Sequence, residues 1–320
     1  MNYPLSLVTC IYGVEKYIEQ YAHSIFTQTY TGIEYVFVND GTKDNSMKIL
    51  ERVIDESYPH LRNNIVILNK ENQGLPLARK SGIELATGEY ILFADPDDWW
   101  SEDAVEQILK KIEQTKADIV YFDLVKEYGN RQSIKREREY TANTKELWIE
   151  NIFNYKSFGY CVTKCFRRSL YTDNKIFTPI LGMHEDIYLM SQIIYHANSI
   201  ERLPMVLYHY RKTNEASMCS QSMETRHIAS SRNLLNLYQN YMDDIPDSPI
   251  KDVAGGIVLR AGWHYVFHKY DFSKEYPWFF NAIRKAKISG RYQVSVFQQI
   301  IVKLAICFVT KSRRTGTGVY

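Results

Sequence analysis

Residues 86–100 read ATGEYILFADPDDWW, an apolar run that ends in three aspartates. The part at 90–93 has the length and composition of a strand that is buried on both faces of a sheet. Asp95, Asp97 and Asp98 follow this run at once. In open sheets covered by helices, ligands bind beyond the carboxyl ends of the strands. The stretch therefore indicates a ligand site built from carboxylates at one edge of an α/β sheet.

The same alternation of apolar runs and helical patterns extends from the start of the chain to about residue 124. Most of the apolar runs are continuous, as expected for strands between two layers of helices. The order predicts a βαβα architecture with a mainly parallel central sheet. Strands are predicted at 5–12, 34–40, 64–70, 90–95 and 118–124, and helices at 15–28, 45–56, 75–86 and 103–114.

Beyond residue 124 the pattern changes. The charged segment 126–140, which contains Gly129-Asn130, predicts an exposed hairpin or loop. Strand-like runs follow at 162–168 and 206–211, with a helix between them that begins near Glu185, and the chain reads as helical from about residue 224, with Gly255-Gly256 as a candidate break. We expect one domain at 1–215, in two parts (1–125 and 126–215), and a smaller helical C-terminal region at 216–320.

The composition is that of a globular protein without a strong overall charge. The hydrophobic fraction is 45%, the charged fraction is 24% and the formal net charge is +2, so no whole-protein field points to nucleic acid as a partner. The five cysteines are scattered and show no zinc-ligand spacing, which favours reduced cysteines in a cytosolic protein. The first residues predict a strand and not a secretion signal, so we expect the protein to act in the cytoplasm.

The predicted strand ends contain none of the glycine patterns that cradle phosphates with backbone amides. A divalent metal held by the aspartate cluster at 95–98 would neutralise a phosphate instead, and Mg²⁺ and Mn²⁺ prefer such oxygen ligands. Pro96 restricts the residue before it and helps to fix the turn. The alternative is that Asp97 or Asp98 only caps the helix that starts near Asp103, or forms a turn.

Residues 5–100 resemble the nucleotide-sugar-binding half of the family-two inverting glycosyltransferases, which have the GT-A fold. The matching segments are SLVTCIY at 6–12, VEKYI at 14–18, SIFTQTY at 24–30, VNDGTKDNS at 38–46, NKENQGL at 69–75, ARKSGI at 78–83 and ATGEYILF at 86–93. The resemblance implies that the chain transfers a sugar from a nucleotide diphosphate donor, a UDP-sugar before other donors, to a saccharide hydroxyl in capsule or exopolysaccharide synthesis. The part at 1–125 would then bind the donor and the part at 126–215 the acceptor. The chain departs from the family at Lys80, where asparagine is usual, and Lys80 either alters donor contacts or is solvated.

The resemblance also implies roles for individual residues. Asp40 would accept a hydrogen bond from the base, and Arg79 would reach the nucleotide as a permanently charged donor. Asp97 would be the principal ligand of Mg²⁺ or Mn²⁺, with Asp95 beside it. The full set of implied nucleotide contacts is Thr9, Tyr12, Glu15, Asp40, Arg79 and Asp95.

In the second half, MHEDIY at 183–188 resembles the Glu-Asp motif of the family, whose aspartate deprotonates the acceptor hydroxyl. Direct displacement at the anomeric carbon needs such a base and an electrophile on the leaving diphosphate, so the resemblance assigns the base to Asp186. Alternatively, Glu185 and Asp186 only favour the positive end of a helix.

The segments TKCFRR at 163–168 and YHYR at 208–211 also match the family. Supporting contacts are implied for Asp98, Lys164, Glu185 and Arg211. His209 is a weaker candidate for the diphosphate and the metal, because a lone histidine is more often a satisfied core or surface group; the same holds for His184.

Residues 294–309, VSVFQQIIVKLAICFV, are strongly apolar but too short and too often interrupted to span a bilayer. Lys311, Arg313 and Arg314 follow this run. Two interpretations are open. The helix lies in the membrane interface, on the inner face of the membrane, where a lipid-linked saccharide acceptor would be found. Alternatively, it packs in the protein core or in a homodimer.

Two other functional classes compete with glycosyl transfer. A nucleotidyltransferase also places carboxylates and a metal beside a nucleotide, but the chain lacks a glycine- and arginine-rich phosphate loop near its N-terminus. A catalytically silent sugar-binding or scaffold protein would not need Asp40, Asp97 and Asp186 together. The sequence identifies neither the sugar nor the acceptor.

Overall fold

Four apolar strands form the parallel part of the sheet. Strand β1 (Leu5–Ile11) lies between β2 (Ile33–Asp40) and β4 (Tyr90–Phe93), and β3 (Ile65–Lys70) lies outside β2. Nearly every residue of β1, β2 and β4 is buried, as the continuous apolar runs predict. The predicted α/β architecture with a mainly parallel sheet is confirmed for this part of the chain.

Four helices follow the strands of this part. They are α1 (Ile18–Phe26), α2 (Ser46–Ser57), α3 (Leu75–Leu85) and α4 (Ala104–Thr115). Each buries one face; in α1 this face contains Ile18, Tyr21, Ala22, Ile25 and Phe26, which have the spacing of one side of a helix. Helix α3 begins after Gly74, whose φ of +88° suits glycine, with a proline in its first turn.

The second part of the sheet is mixed. In the order β3-β2-β1-β4-β8-β6-β9-β5, β8 pairs antiparallel with β4 and β6, β9 runs parallel to β6, and β5 closes the order antiparallel to β9. Strand β7 pairs antiparallel with β6, which confirms the predicted hairpin in the charged segment. The bounds are β5 (Trp99–Trp100), β6 (Ile119–Glu127), β7 (Gln132–Lys135), β8 (Lys164–Arg167) and β9 (Ile200–Arg211).

Three more helices belong to this region of the sequence: α5 (Lys145–Phe153), α6 (Ser169–Thr172) and α7 (Glu185–His196). Short 3-10 helices lie at Pro59–Asn64, Ala142–Thr144, Cys161–Thr163 and Phe272–Lys274.

The computed structural model describes residues 3–178, 185–214, 231–232, 235–236, 238–239, 249–268, 271–286 and 295–314. The chain divides into unit 1 (Met1–Trp148 and Ser157–Ser220) and unit 2 (Ile149–Lys156 and Gln221–Tyr320). The predictions that concern His184 and the start of the helical region near residue 224 fall outside the described residues.

Unit 2 contains α8 (Pro249–His268), α9 (Phe279–Lys285) and α10 (Val296–Arg314). Its core includes Val258, Leu259, Phe272, Phe279, Ile283, Val302 and Ile306. Helix α8 continues through Gly255-Gly256, so the predicted break is wrong, because packing outweighs the roughly 1 kcal/mol that glycine costs a helix interior. Of the helices described, none combines the length and the apolar composition needed to cross a membrane.

A buried carboxylate connects β2 with the turn that precedes β4. Oε1 of Glu34 accepts a hydrogen bond from the Thr87 hydroxyl (2.7 Å), and Oε2 accepts one from the Thr87 amide (2.8 Å). The Ser6 hydroxyl and the Gly88 amide also donate to Oε2. These donors compensate for the burial of the carboxylate, and the turn that they hold sets the position of β4.

We expect Glu34→Gln to lower the free energy of unfolding of unit 1 by about 2–3 kcal/mol, because an amide NH₂ would face groups that are themselves donors. Urea denaturation measures this loss. Glu51→Gln, on the exposed side of α2, is the matched control and should change stability by no more than about 0.5 kcal/mol. Equal effects of the two substitutions would contradict the role assigned to Glu34.

A buried lysine holds the segment before β8. The Lys164 ammonium donates to the carbonyl oxygens of Phe158 (2.8 Å) and Tyr160 (2.9 Å) and to the Thr163 hydroxyl (3.2 Å), and it lies over the Trp148 ring. Burial lowers the pKa of Lys164 to about 8, although nearby acidic groups oppose the shift.

This depressed pKa predicts a pH-dependent contribution to stability. The unfolded chain keeps the lysine proton up to about pH 10.5 and the folded chain releases it near pH 8, so the unfolded state binds more protons in that interval. The stability of the wild type should therefore rise relative to Lys164→Met between about pH 7 and pH 10, by at most about 1.4 kcal/mol per pH unit. Urea denaturation across this range tests the prediction. Lys80→Met, at an exposed lysine, is the control: its difference from the wild type in free energy of unfolding should stay constant across this pH range. If the difference for Lys164→Met also stayed constant, Lys164 would keep its proton in the folded chain.

Candidate active site

The carboxyl ends of three neighbouring parallel strands meet at one edge of the sheet in unit 1. Strand β1 leads to the exposed Tyr12, β2 ends at Asp40, and β4 is followed closely by Asp95. The parallel register brings these predicted nucleotide-binding residues to the same edge. This is the position at which open α/β sheets bind ligands.

The loops after β1 and β2 are joined by hydrogen bonds at this edge. The Gly13 amide donates to the Thr42 hydroxyl (2.9 Å), and the Glu15 amide donates to Oδ2 of Asp44 (3.0 Å). Partial burial of Asp44 opposes its ionisation, but hydrogen bonds from Ser46, Thr42 and the Glu15 backbone lower its pKa overall. Sequence reasoning did not assign a role to Asp44, although it lies in the same matched segment as Asp40.

Asp40 is buried and holds the loop that leads into α3. Its Oδ1 accepts hydrogen bonds from the Gln73 amide (3.0 Å) and the Lys70 ammonium (3.2 Å), and its Oδ2 accepts one from the Gly74 amide (2.8 Å). Thr9 is also buried and hydrogen-bonds to the Tyr21 hydroxyl. The side chains of Asp40 and Thr9 therefore have partners inside the protein, and their contacts with a nucleotide stay predictions.

Glu15 lies in the loop after β1, at the start of the same edge. One of its carboxylate oxygens accepts a hydrogen bond from the Asn45 amide at 3.0 Å, where α2 begins. Among the predicted nucleotide-binding residues, Glu15 and Tyr12 are exposed to solvent, whereas Thr9, Asp40 and Arg79 are buried.

Arg79 is the centre of the charged cluster. It projects from α3, is 4% exposed, and lies over the Phe93 ring. Its guanidinium pairs with Asp95 (Nη2–Oδ1, 3.2 Å) and Glu185 (Nη1–Oε1, 3.3 Å), and Nη1 also donates to Asp186. The predicted base and the predicted metal ligand Asp95 are thus brought to one cation, although they lie far apart in the sequence.

The carboxyl groups around Arg79 experience an excess of negative charge. Burial raises the pKa of Asp95 to about 6, with Arg79 opposing and Asp186 and Asp97 adding to the rise. Burial and the neighbouring Asp186 raise the pKa of Glu185 to about 8, again against Arg79. One guanidinium does not neutralise this cluster, so a further cation would be stabilised here.

Asp97 is the residue of the aspartate loop that is most suited to a metal. Its side chain is partly exposed, and Oδ2 accepts one hydrogen bond from Asn214 (2.8 Å). Among the described residues, no group of three acidic, histidine or cysteine side chains is close enough to hold a metal alone. Asp97 and Asp95 offer the carboxylate oxygens that Mg²⁺ prefers, and one or two carboxylates with water and phosphate oxygens are its usual coordination.

Asp98 supports the loop from behind. It is buried, its Oδ2 accepts a hydrogen bond from the Tyr208 hydroxyl (2.5 Å), and its Oδ1 accepts one from the Arg211 amide (2.7 Å). Burial, together with Asp97 and Asp95, raises the pKa of Asp98. The alternative that Asp98 caps α4 is wrong, because both of its oxygens contact β9.

Arg211 connects the aspartate loop to the aromatic residues around it. Its Nε donates to the Asp97 carbonyl oxygen (2.7 Å), and its guanidinium lies over the Trp99 ring at 4.7 Å and the Tyr17 ring at 5.0 Å. An open cavity of about 290 Å³ adjoins it and is lined by Trp99, Glu127, Gly129, Gln132, His209, Arg211 and Thr213.

Two other predicted site residues, His209 and Lys164, have hydrogen-bond partners outside the charged cluster around Arg79. His209 makes contacts through Nδ1 to Glu127 (2.8 Å) and through Nε2 to Ser101 (3.4 Å), so its metal role stays a prediction. Lys164 holds the segment before β8. Sequence reasoning missed Asn214 and gave no role to Tyr208, because only the folded chain brings them to the aspartate loop.

The sequence matches a family model described as glycosyl transferase family 2 over residues 6–174. A curated relative, the putative glycosyltransferase EpsH of Bacillus subtilis (strain 168), is 32% identical over 213 residues, which cover 65% of this chain and 60% of EpsH. The chain thus spans less than two thirds of the length of this relative.

Two solved structures are similar in fold. The S. aureus protein TarS (residues 1–349), in complex with UDP-GlcNAc, gives a TM-score of 0.67 at 19% identity and covers 100% of this chain and 93% of that chain. A mannosyltransferase from Pyrobaculum calidifontis, in complex with GDP-Man and Mn²⁺, gives a TM-score of 0.55 at 16% identity, with coverages of 99% and 84%. These likenesses confirm the predicted GT-A fold. Since the family match covers more than half of the chain, the chain belongs to glycosyl transferase family 2.

Proposed function

We propose that the protein is an inverting glycosyltransferase that moves a sugar from a nucleotide diphosphate donor to a saccharide hydroxyl. The observation that carries this proposal is the convergence of Asp95, Arg79 and Asp186 at the carboxyl edge of the parallel strands. Membership of the family supports glycosyl transfer. The UDP-GlcNAc bound to TarS supports a UDP-sugar as the first donor class to test.

The donor diphosphate would lie beside Asp97 and Asp95 with Mg²⁺ or Mn²⁺. Burial raises the pKa of Asp95 to about 6, and the negative charges of Asp186 and Asp97 add to the rise. These neighbouring negative charges support a bound cation at this point. When bound, the ion supplies a Lewis acid that stabilises the charge developing on the leaving diphosphate. Asp98 and Arg211 would keep the aspartate loop in position through their bonds to each other and to Asp97.

Asp186 would act as the general base. It is partly exposed, and Arg79 holds its carboxylate in place at the start of α7. The proton of the acceptor hydroxyl passes to Asp186 while the acceptor oxygen bonds to the anomeric carbon and the bond from that carbon to the diphosphate oxygen breaks. Attack from the side opposite the leaving group inverts the anomeric configuration.

The neighbouring Glu185 would have a different role. Burial and the neighbouring Asp186 raise its pKa, which favours the protonated form of this carboxyl group. Two adjacent carboxyl groups in different environments commonly divide such roles. Glu185 would support Arg79 and Asp186 without taking the proton of the acceptor.

We also propose which parts of residues 1–215 bind the two substrates and where in the cell the protein acts. Residues 1–125 would bind the donor and residues 126–215 the acceptor, since Asp186 and most of the residues around the cavity beside Arg211 lie in the second part. The acceptor would be a saccharide, free or lipid-linked, in surface polysaccharide synthesis. The protein would act in the cytoplasm, at the inner face of the membrane.

We expect Asp97→Asn to abolish metal-dependent binding of the donor nucleotide, because the amide removes a negatively charged metal ligand. Calorimetric titration with UDP, with and without Mn²⁺, should show an affinity lower by at least about tenfold. Asp173→Asn, at an exposed aspartate after α6, is the matched control and should bind as the wild type does. Binding of GDP or dTDP in place of UDP would overturn only the uridine assignment. Failure of all three to bind would contradict the proposal.

Asp186→Asn should spare UDP binding and lower sugar transfer by about 10²–10⁴-fold, because the amide cannot accept the hydroxyl proton. The measurement is release of UDP from UDP-sugars in the presence of a panel of saccharide acceptors. Glu185→Gln is the matched control; it resembles the protonated carboxyl group and should retain most of the transfer. Transfer near the wild-type rate in Asp186→Asn would show that another residue is the base.

A further inference from the structure

Helix α10 of unit 2 carries an apolar face that is open to solvent. Phe297 is 71% exposed and Leu304 is 66% exposed, while Val296 and Ile300 are 43% and 40% exposed. At 100° per residue these four side chains lie within one side of the helix. We call them the α10 stripe.

The opposite side of α10 packs into the core of unit 2. Val302 and Ile306 are fully buried in that core, and Gln299 is fully buried as well. Lys303 turns its ammonium to the Arg284 carbonyl oxygen at 3.0 Å. The polar residues of this part of the helix therefore do not cover the α10 stripe. Surface helices normally present polar residues to water, and an exposed apolar cluster marks a surface that binds protein or membrane.

The charge of the surrounding sequence has one sign. After Glu275 the chain has no aspartate or glutamate, and it has eight basic residues, of which Arg284 and Lys285 are exposed on α9. The complete set is Arg284, Lys285, Lys287, Arg291, Lys303, Lys311, Arg313 and Arg314. Basic clusters beside an apolar helix face are attracted to anionic lipid headgroups.

We infer that the α10 stripe binds the surface of an anionic lipid bilayer. The stripe enters the boundary between headgroups and acyl chains, and the exposed Arg284 and Lys285 of α9 contact the headgroups. A second copy of the chain is a poorer occupant, because pairing two such surfaces would bring like charges together. The inference concerns unit 2 alone and does not depend on the reaction proposed for unit 1.

The test uses the full chain and sedimentation with lipid vesicles. The wild type should sediment with vesicles that contain phosphatidylglycerol, should sediment poorly with phosphatidylcholine alone, and should be released as salt rises. Phe297→Ser with Leu304→Ser should reduce the affinity for the anionic vesicles by at least about tenfold. The variant lacks the two large apolar side chains whose transfer from water into the bilayer favours binding. Arg284→Gln with Lys285→Gln should weaken binding and reduce its dependence on salt.

The matched control is Ile134→Ser with Leu147→Ser, which removes two exposed apolar side chains from unit 1. It should bind vesicles as the wild type does, and thermal unfolding should show that all variants fold. The inference is overturned if the wild type ignores anionic vesicles, or if the control loses as much binding as the stripe variant. It is also overturned if light scattering shows a dimer that Phe297→Ser with Leu304→Ser converts to a monomer, since a second copy would then be the occupant.

Discussion

A guanidinium can be buried at low cost only where carboxylates compensate its charge, and Arg79 is buried among three of them. This ion cluster joins α3, the loop after β4 and the start of α7. The position of α3 depends in turn on Asp40, whose oxygens hold the loop before that helix. The arrangement of the proposed base, the aspartate loop and the proposed nucleotide-binding edge therefore rests on how the charge of Arg79 is compensated.

The cluster also determines how its acids differ. Glu185 and Asp186 are adjacent in sequence and share one cation, but Glu185 is more deeply buried, and the pKa of its carboxyl group rises to about 8. The excess of acidic groups over one guanidinium favours a second cation beside Asp95. The proposed binding of a metal together with a diphosphate would offset this negative charge, which is otherwise costly to bury.

The parallel half of the sheet could be predicted from the sequence because its signals are local. Continuous apolar runs identify β1, β2 and β4, and the polar residues just beyond them identify the edge at which we propose that the donor binds. The role of Asp98 could not be predicted in this way, because Tyr208 and Arg211 reach it only through the pairing of β5 with β9. Strand β5, with two residues, is too short to show a period.

The orientation of α10 is another feature that local sequence signals could not predict. Its sequence is apolar on nearly every side, so the pattern alone leaves open which face is buried. The packing partner decides it: Gly262 of α8 lies so close to Val302 that a β-carbon there would come within 2.5 Å of Cγ1 of Val302. Because only glycine permits this approach, Val302 faces α8, and the side of the helix that carries Phe297 is turned to solvent. The glycine at position 262 of α8 thus determines which apolar surface α10 exposes.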